Sequence, residues 1–436
     1  MTDKKAVVIG GGLAGVEAAN QLSKRGVKVT LYEMKPCKFS PAHKNENLGE
    51  LVCSNSLKAA RLGSAAGVLK AEMRLFGSVC LDAADVAQVP AGGALAVDRD
   101  VFSKLITQTI ENDENITLIR EEITEIPDAE VVIIAAGPLM SEALAEKVAE
   151  LCGKSFLSFY DAAAPIVTAD SIDMENAFTQ SRYDRGGEDD YINCPLNKEE
   201  YESFYEELIN AESAELHSFD KRKDVYEGCM PIEVLASRGK DAMRYGPLKP
   251  VGLTNPKTGH RPWANLQLRK ENKDGTMYNL VGFQTNLKFP EQKRVFSMFP
   301  ALKNAEFVRY GVMHRNTFLN SPGLLSYDFS MLKKPNIYFA GQISGVEGYM
   351  ESAASGILAG YNAARRLFGE EPIKLPKITM LGALSQYISD ESVKNFQPMG
   401  AAIGLVEPLG ETIKDKKERY ERIAQRSLDY YKSIDF

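Results

Sequence analysis

The absences in this chain of 436 residues each remove a class of function. Its six cysteines, Cys37, Cys53, Cys80, Cys152, Cys194 and Cys229, form no Cys-x-x-Cys pair and no Cys/His cluster at zinc spacing. A dithiol redox centre and a structural zinc site are therefore not indicated, no metal is expected, and the cysteines read as reduced thiols. Nowhere do eighteen apolar residues run together, so nothing is expected to span a membrane. The polar opening, residues 1–5, leads into a short apolar run ended by glycines, unlike a signal peptide or an anchor, and a cytoplasmic protein is expected. Internal repeats and low-complexity tracts are absent too, and 44% hydrophobic with 25% charged residues excludes disorder and fibrous classes. At this length two domains are expected rather than one core.

A formal net charge of −7 argues mildly against a nucleic-acid partner until its distribution is considered. Residues 221–315 hold 18 Lys+Arg against 8 Asp+Glu, so one region is basic and the remainder acidic.

Residues 5–33 read as strand, turn, helix, strand. The run 6–9 is apolar, Leu13, Val16, Ala19 and Leu22 recur near the helical period, and 27–32 forms the second strand. Between the strands, Gly10-x-Gly12-x-x-Gly15 puts glycine where the chain turns, where backbone must approach a pyrophosphate, and where helix packs on strand. The helix from Leu13 then aims its N-terminal N–H groups at phosphates, with Gly11 and Ala14 inside the same turn. Glu33, eighteen residues beyond Gly15, is placed to accept hydrogen bonds from ribose hydroxyls. Together these spell dinucleotide binding. The apolar strand 131–136, closed by Gly137-Pro138, and the late strand 336–340, closed by Gly341-Gln342 and followed by a small-residue helix over 351–367, point to FAD rather than NAD. No second glycine fingerprint exists for a nicotinamide nucleotide, so NADH or NADPH would bind without its own unit.

Between these pieces, over about 165–318, the texture changes to acidic helix, prolines, glycines and aromatic strands, as in an inserted domain. The expected class is α/β: a doubly wound Rossmann-like FAD-binding domain (1–164 and 319–436) with an inserted smaller α+β domain (165–318) bearing a basic, RNA-facing surface. A helix over 199–216 would carry Tyr201, Phe204, Tyr205, Leu208 and Ile209 on one face. Residues 411–431 also read as helical.

Ala6-Val-Val-Ile-Gly-Gly-Gly-Leu-Ala-Gly15, Leu31-Tyr-Glu-Met34, Glu50-Leu-Val-Cys53-Ser-Asn-Ser56, Ala96-Val-Asp-Arg99, Gly228-Cys229-Met-Pro-Ile-Glu233 and Phe339-Ala-Gly-Gln342 through Gly348-Tyr349 resemble the folate- and FAD-dependent tRNA uracil-C5-methyltransferases, the TrmFO family. The resemblance covers nearly the whole length. It implies transfer of a one-carbon unit from 5,10-methylenetetrahydrofolate to C5 of a T-loop uridine in tRNA (position 54). In that chemistry reduced FAD supplies electrons and NADH or NADPH reduces the flavin again.

C5 of uracil is a poor nucleophile, and addition of a thiolate at C6 is the standard remedy. Such a thiol belongs in an electropositive, partly exposed place. Cys229 suits it best, with Gly228 beside it and Lys221, Arg222, Lys223, Arg238, Lys240 and Arg244 close in sequence. Cys53 lies in a polar loop that the resemblance places beside the flavin, where it would assist proton removal at C5 or contact the RNA. Candidates to hold the folate pterin are His314, Asn316, Glu347 and Tyr349. The basic stretch would contact phosphates, and Tyr245, Trp263 and Tyr278 would stack on exposed bases. Three other readings compete: a relative of the wobble-uridine enzyme, whose chains are longer and need a partner protein; a disulfide reductase, which lacks its cysteine pair here; and a non-catalytic FAD-stabilised module that binds tRNA but leaves its uridines unmodified.

Overall fold

A computed structural model describes residues 4–434 except 41, 154–155, 163, 185–186, 188–189, 215–229, 273, 312, 394–395 and 412, and for 156–162, 184 and 313–316 it describes the backbone alone. Five parallel strands build the first sheet, in the order Ile337–Phe339, Val132–Ile134, Lys5–Ile9, Lys28–Glu33, Ile116–Arg120. Parallel sheets are covered on both faces and need apolar side chains throughout. Val8, Leu31, Val132, Ile133, Ile134 and Phe339 accordingly lie in the core. The chain leaves the first strand towards Lys28–Glu33 on one side and returns through Val132–Ile134 on the other. A crevice opens at the strands' carboxyl ends where that order reverses.

Helices Leu13–Lys24 and Tyr349–Leu367 cross in close contact beneath the crevice. Glycine makes this possible: a Cβ at Gly356 would lie 2.1 Å from Ala14 O, and one at Gly360 would lie 2.5 Å from Ala18 O.

A second core belongs to a six-stranded sheet, ordered Phe178–Thr179, Tyr191–Leu196, Ala264–Lys270, Met277–Leu280, Ile166–Thr168, Phe307–Arg309, whose pairs are antiparallel. Phe204, Phe283, Phe296 and Phe299 interlock there, with Phe204 and Phe299 ring centroids 5.0 Å apart. Strands Phe156–Ala162 and Met313–Leu319 pair with each other in the two stretches of chain between the cores.

Elements differ from their sequence expectation mostly at the ends. The acidic helix is Lys198–Ile209, since Asn197 and Glu200 form a reciprocal capping box and Asn210 closes it. It does not reach 216, and Ile209 is exposed while Tyr201, Phe204 and Leu208 are buried. Strands expected over 131–136 and 336–340 are the shorter Val132–Ile134 and Ile337–Phe339. The late helix begins two residues early, at Tyr349, and the C-terminal one is Lys416–Lys432, capped by Asp415.

Two buried carboxyls add to the side-chain caps of Thr379 and Ser78 at helix starts. Glu72 accepts Met380 N at 2.6 Å and Leu381 N at 2.8 Å, and Ser427 and Tyr431 of the last helix bond to it as well. Glu17 receives Ser78 Oγ and Cys80 N in the same manner. Burial pushes both carboxyls up to about 7.

Candidate active site

The crevice starts at the glycine turn. Gly10 has φ +103°, and its N–H donates to Tyr32 O at 2.8 Å. A Cβ there would stand 2.6 Å from Ala135 O, one at Gly11 2.5 Å from Leu48, and one at Gly15 1.8 Å from Gly10 O. Gly12 differs, because open space lies where its Cβ would be. It precedes Leu13–Lys24 without any side-chain cap, so the first N–H groups of that helix are left for a ligand.

The cleft beyond has a volume of about 430 Å³ and is lined by Gly10, Gly11, Gly12, Leu13, Ala14, Glu33, Cys53, Gly137, Gly341, Gln342, Glu347 and Tyr349. Of the expected cofactor residues only Gly15 stands behind it, as the glycine on which helix and strand pack. Glu33 is fixed through both oxygens, Oε2 accepting Gly11 N at 2.8 Å and Oε1 accepting Lys35 N at 2.9 Å. Each oxygen keeps a further lone pair for a hydroxyl. A buried ion pair unseen in the sequence, Lys35 with Glu50 at 3.1 Å, supports this end, and Lys35 also donates to Asn45 O and Asn47 O. Burial and then Lys35 push the nearby His43 imidazole down.

At the other end Gly341 turns with φ +85°, its N–H held by Ser355 Oγ at 2.7 Å, and Gln342 Nε2 donates to Glu347 Oε2 at 2.8 Å. The start of Tyr349–Leu367 faces the cleft. Its first-turn Glu351 is buried and bonded to Lys58 Nζ at 2.7 Å, and burial lowers neighbouring Lys70 to about 8. Glu351 Oε2 has no hydrogen-bond partner among the described residues, an acceptor left facing this pocket. Glu347 and Glu351 line this end with Lys58. A narrow cleft with a bare helix start at each end and an anchored carboxylate fits a bound dinucleotide.

Cys53 is half-buried on the cleft wall. Its Sγ lies 2.9 Å from Tyr349 Oη, which also receives Cys53 N at 2.8 Å and Ser54 N at 3.2 Å. Burial and then Cys53 raise the Tyr349 hydroxyl well above its ordinary value.

Other sequence candidates stand elsewhere. Cys229, Lys221, Arg222 and Lys223 lie outside the described residues. The backbones of His314 and Asn316 sit in Met313–Leu319 opposite Asp161 and Phe159. Arg238 is exposed. Arg244 stacks on Trp263, 3.9 Å from its ring centroid, beside a separate groove of about 560 Å³ that Lys198, Lys257, His260 and Arg261 also line. Tyr245 is 86% exposed, but Tyr278 is buried in the second core and is not available for base stacking. Much of the basic stretch is spent internally: Lys240 pairs with Glu202, Lys288 with Glu212, and Arg294 with Glu207 and Glu291.

A family model described as Glucose inhibited division protein A matches residues 5–371. The chain is 59% identical over 425 residues to Methylenetetrahydrofolate--tRNA-(uracil-5-)-methyltransferase TrmFO of Acetivibrio thermocellus, covering 98% of this chain and 97% of that protein. To the protein of the same name from Enterococcus faecalis it is 56% identical, covering 98% and 97%. Among solved structures, Aquifex aeolicus GidA in its form II crystal superposes with a TM-score of 0.72 at 18% identity, covering 99% of this chain and 73% of that one, a likeness of fold. On the strength of the matched family model and of identity sustained along nearly all of its length, the chain belongs to the Glucose inhibited division protein A family and, within it, to the TrmFO family.

Proposed function

We propose that this chain holds FAD in the cleft and transfers a one-carbon unit from 5,10-methylenetetrahydrofolate to C5 of the T-loop uridine of tRNA, with NADH or NADPH as external reductant. The observation that carries the reading is near-full-length identity to proteins named for that methyl transfer, in a chain whose cleft wall presents a thiol. Gly10, Gly11 and Gly12 with the start of Leu13–Lys24 would hold the pyrophosphate, Glu33 the ribose, and Gly341, Gln342 and the start of Tyr349–Leu367 the ring end. When bound and reduced, FAD supplies the hydride that turns a methylene on C5 into methyl.

The remaining steps fall to the protein. Cys229 adds to C6 of the uracil, and the displaced electron pair makes C5 a nucleophile towards the folate methylene carbon. Cys53 receives the proton released from C5 as the methylene carbon–nitrogen bond to folate breaks and tetrahydrofolate leaves with that electron pair, and the C6–sulfur bond breaks, returning the thiolate of Cys229, once hydride has completed the methyl group. Glu347 and Tyr349, with His314 and Asn316, would hold the pterin. We assign 1–164 and 319–436 to the cofactor domain and 165–318 to an inserted domain, whose Arg238, Arg244 and Trp263, with Lys221, Arg222 and Lys223, face the tRNA. Support for this surface is the groove beside Trp263, where Lys198 and Arg261 enter no ion pair among the described residues. The test is to incubate purified protein with unmodified tRNA, methylenetetrahydrofolate and NADPH and analyse the nucleosides. Formation of 5-methyluridine is expected, and its absence would overturn the proposal.

A further inference from the structure

The four residues 52–55 that carry Cys53 are held from the antiparallel sheet. Val52 O, the carbonyl of the peptide whose N–H belongs to Cys53, accepts Arg309 Nη2 at 2.5 Å and Arg99 Nη1 at 3.2 Å. The N–H of that peptide goes to Tyr349 Oη, so one peptide plane is fixed at both ends. One residue on, Arg269 Nη2 donates to Ser54 Oγ at 3.0 Å and Arg269 Nε to Asn55 Oδ1 at 2.9 Å. Asn55 Nδ2 in turn donates to Lys270 O at 2.9 Å and Val97 O at 3.1 Å. Arg99, from the helix Arg99–Glu111, is ion-paired with Glu271 of the sheet.

We infer that Arg309 and Arg269, two arginines of the antiparallel sheet, are positioning residues for the Cys53 thiol, acting through the Val52–Cys53 peptide and the Ser54 and Asn55 side chains. The inference rests on the reading that Cys53 serves the proposed reaction. A hydrophobic packing contact would have served to anchor a loop at less desolvation cost than buried guanidiniums. What guanidiniums add is charge. The charged and titratable groups around the loop are Tyr349, Arg99, Arg269, Glu271 and Arg309, flanked in sequence by Glu50 and Lys58. Three guanidiniums, Arg99, Arg269 and Arg309, share the single carboxylate Glu271, so the protein side of the loop carries net positive charge. Arg309 interacts electrostatically with Cys53, and positive charge beside a thiol favours thiolate. Arg269 and Arg309 tie the thiol's geometry to the sheet proposed to meet the RNA.

The test is the pH–rate profile of Cys53 alkylation by iodoacetamide, read by mass spectrometry of the Cys53 peptide from the purified full-length protein. Arg309→Gln, which keeps an N–H donor and removes charge, is expected to move the midpoint up by about one pH unit and slow alkylation at pH 7 roughly five- to tenfold. Arg309→Lys, which keeps the charge, should return the midpoint close to wild type, a rescue that loss of packing alone would not produce. A wild-type profile in folded Arg309→Gln would overturn the inference. Ser54→Ala removes the acceptor that Arg269 Nη2 and Ser56 N–H share and leaves both arginines in place, so it covers the case in which the arginine variants do not fold: about threefold slower alkylation is expected, and an unchanged rate counts against the coupling. Alkylation needs neither folate nor tRNA, so wild-type protein that forms no 5-methyluridine would sink the proposed reaction and leave this result standing.

Discussion

Tyr349 Oη and Cys53 Sγ lie 2.9 Å apart, while the same oxygen accepts two backbone N–H groups from the loop that carries the cysteine. A phenol oxygen has two lone pairs and one hydrogen, so with both lone pairs engaged the O–H points to sulfur. Tyr349 is therefore a donor to Cys53, and it favours the thiolate. Tyr349→Phe removes that donor and strands two N–H groups at a cost of about 1–3 kcal/mol. We expect turnover to fall at least about tenfold and the pH at half-maximal activity to rise, since one stabiliser of the anion is gone. Steady-state assays across pH check both.

Cys229→Ala should keep its yellow flavin and form no 5-methyluridine. Cys53→Ala should keep flavin too, but retain covalent capture of 5-fluorouracil-containing RNA, because the adding sulfur is still present. If capture is lost in Cys53→Ala and kept in Cys229→Ala, the two roles are exchanged.

Gly356→Ala places a methyl 2.1 Å from Ala14 O, against backbone that cannot yield without moving the glycine turn. A loss of about 1–3 kcal/mol in stability is expected, together with weaker flavin retention. Thermal melts and visible absorbance after gel filtration measure the two effects. A variant with wild-type melting and full flavin would show that the helix contact is slack.

Glu72 has a folded-state pKa of about 7, above its unfolded value. Between roughly pH 4.5 and 7 the native state then binds more protons than the unfolded state, so this group's contribution falls as pH rises through that window. Glu17 acts in the same direction. Glu72→Gln should flatten the decline in denaturant midpoint between pH 5 and 7.5 and lower stability at every pH, because Met380 N and Leu381 N donate to different oxygens and one amide oxygen keeps only one of those bonds. An unchanged slope would show that Glu72 is ionised throughout.

Arg261 is exposed and enters no ion pair among the described residues, beside the Trp263 groove. Arg261→Glu should weaken tRNA binding and lower the salt slope by about one, while Trp263→Ala should weaken binding at an unchanged slope. Filter binding across salt concentrations separates the two, and wild-type affinity in both variants would move the RNA surface elsewhere.

The glycine turn and its flanking elements could be read from sequence because they are local. Gly10, Gly12, Gly15 and Glu33 fall within one strand–helix–strand unit, where spacing alone sets position. The loop around Cys53 is different: Arg269 and Arg309 reach Ser54 and Val52 from 215 and 257 residues away. No periodicity reports such a contact. Tyr278 was expected among exposed aromatics, yet pairing within the second sheet turns it inward, which depends on the neighbours' register. The helix ends at Ile209 rather than 216 because residues 212–214 bond instead to the distant segment 286–288, a pairing the apolar spacing does not report. Summed charge marked 221–315 as basic, but could not tell which cations are spent on Glu202, Glu207 and Glu212.

The glycine contact between Leu13–Lys24 and Tyr349–Leu367 joins segments more than 300 residues apart in sequence. During translation the first helix leaves the ribosome on the order of tens of seconds before its partner is synthesised. Throughout that interval the first helix lacks the late helix it packs against. Loading with the proposed dinucleotide would thus be a late event in biogenesis, and a premature stop before residue 349 would yield a chain with the fingerprint complete and no enclosed place to use it.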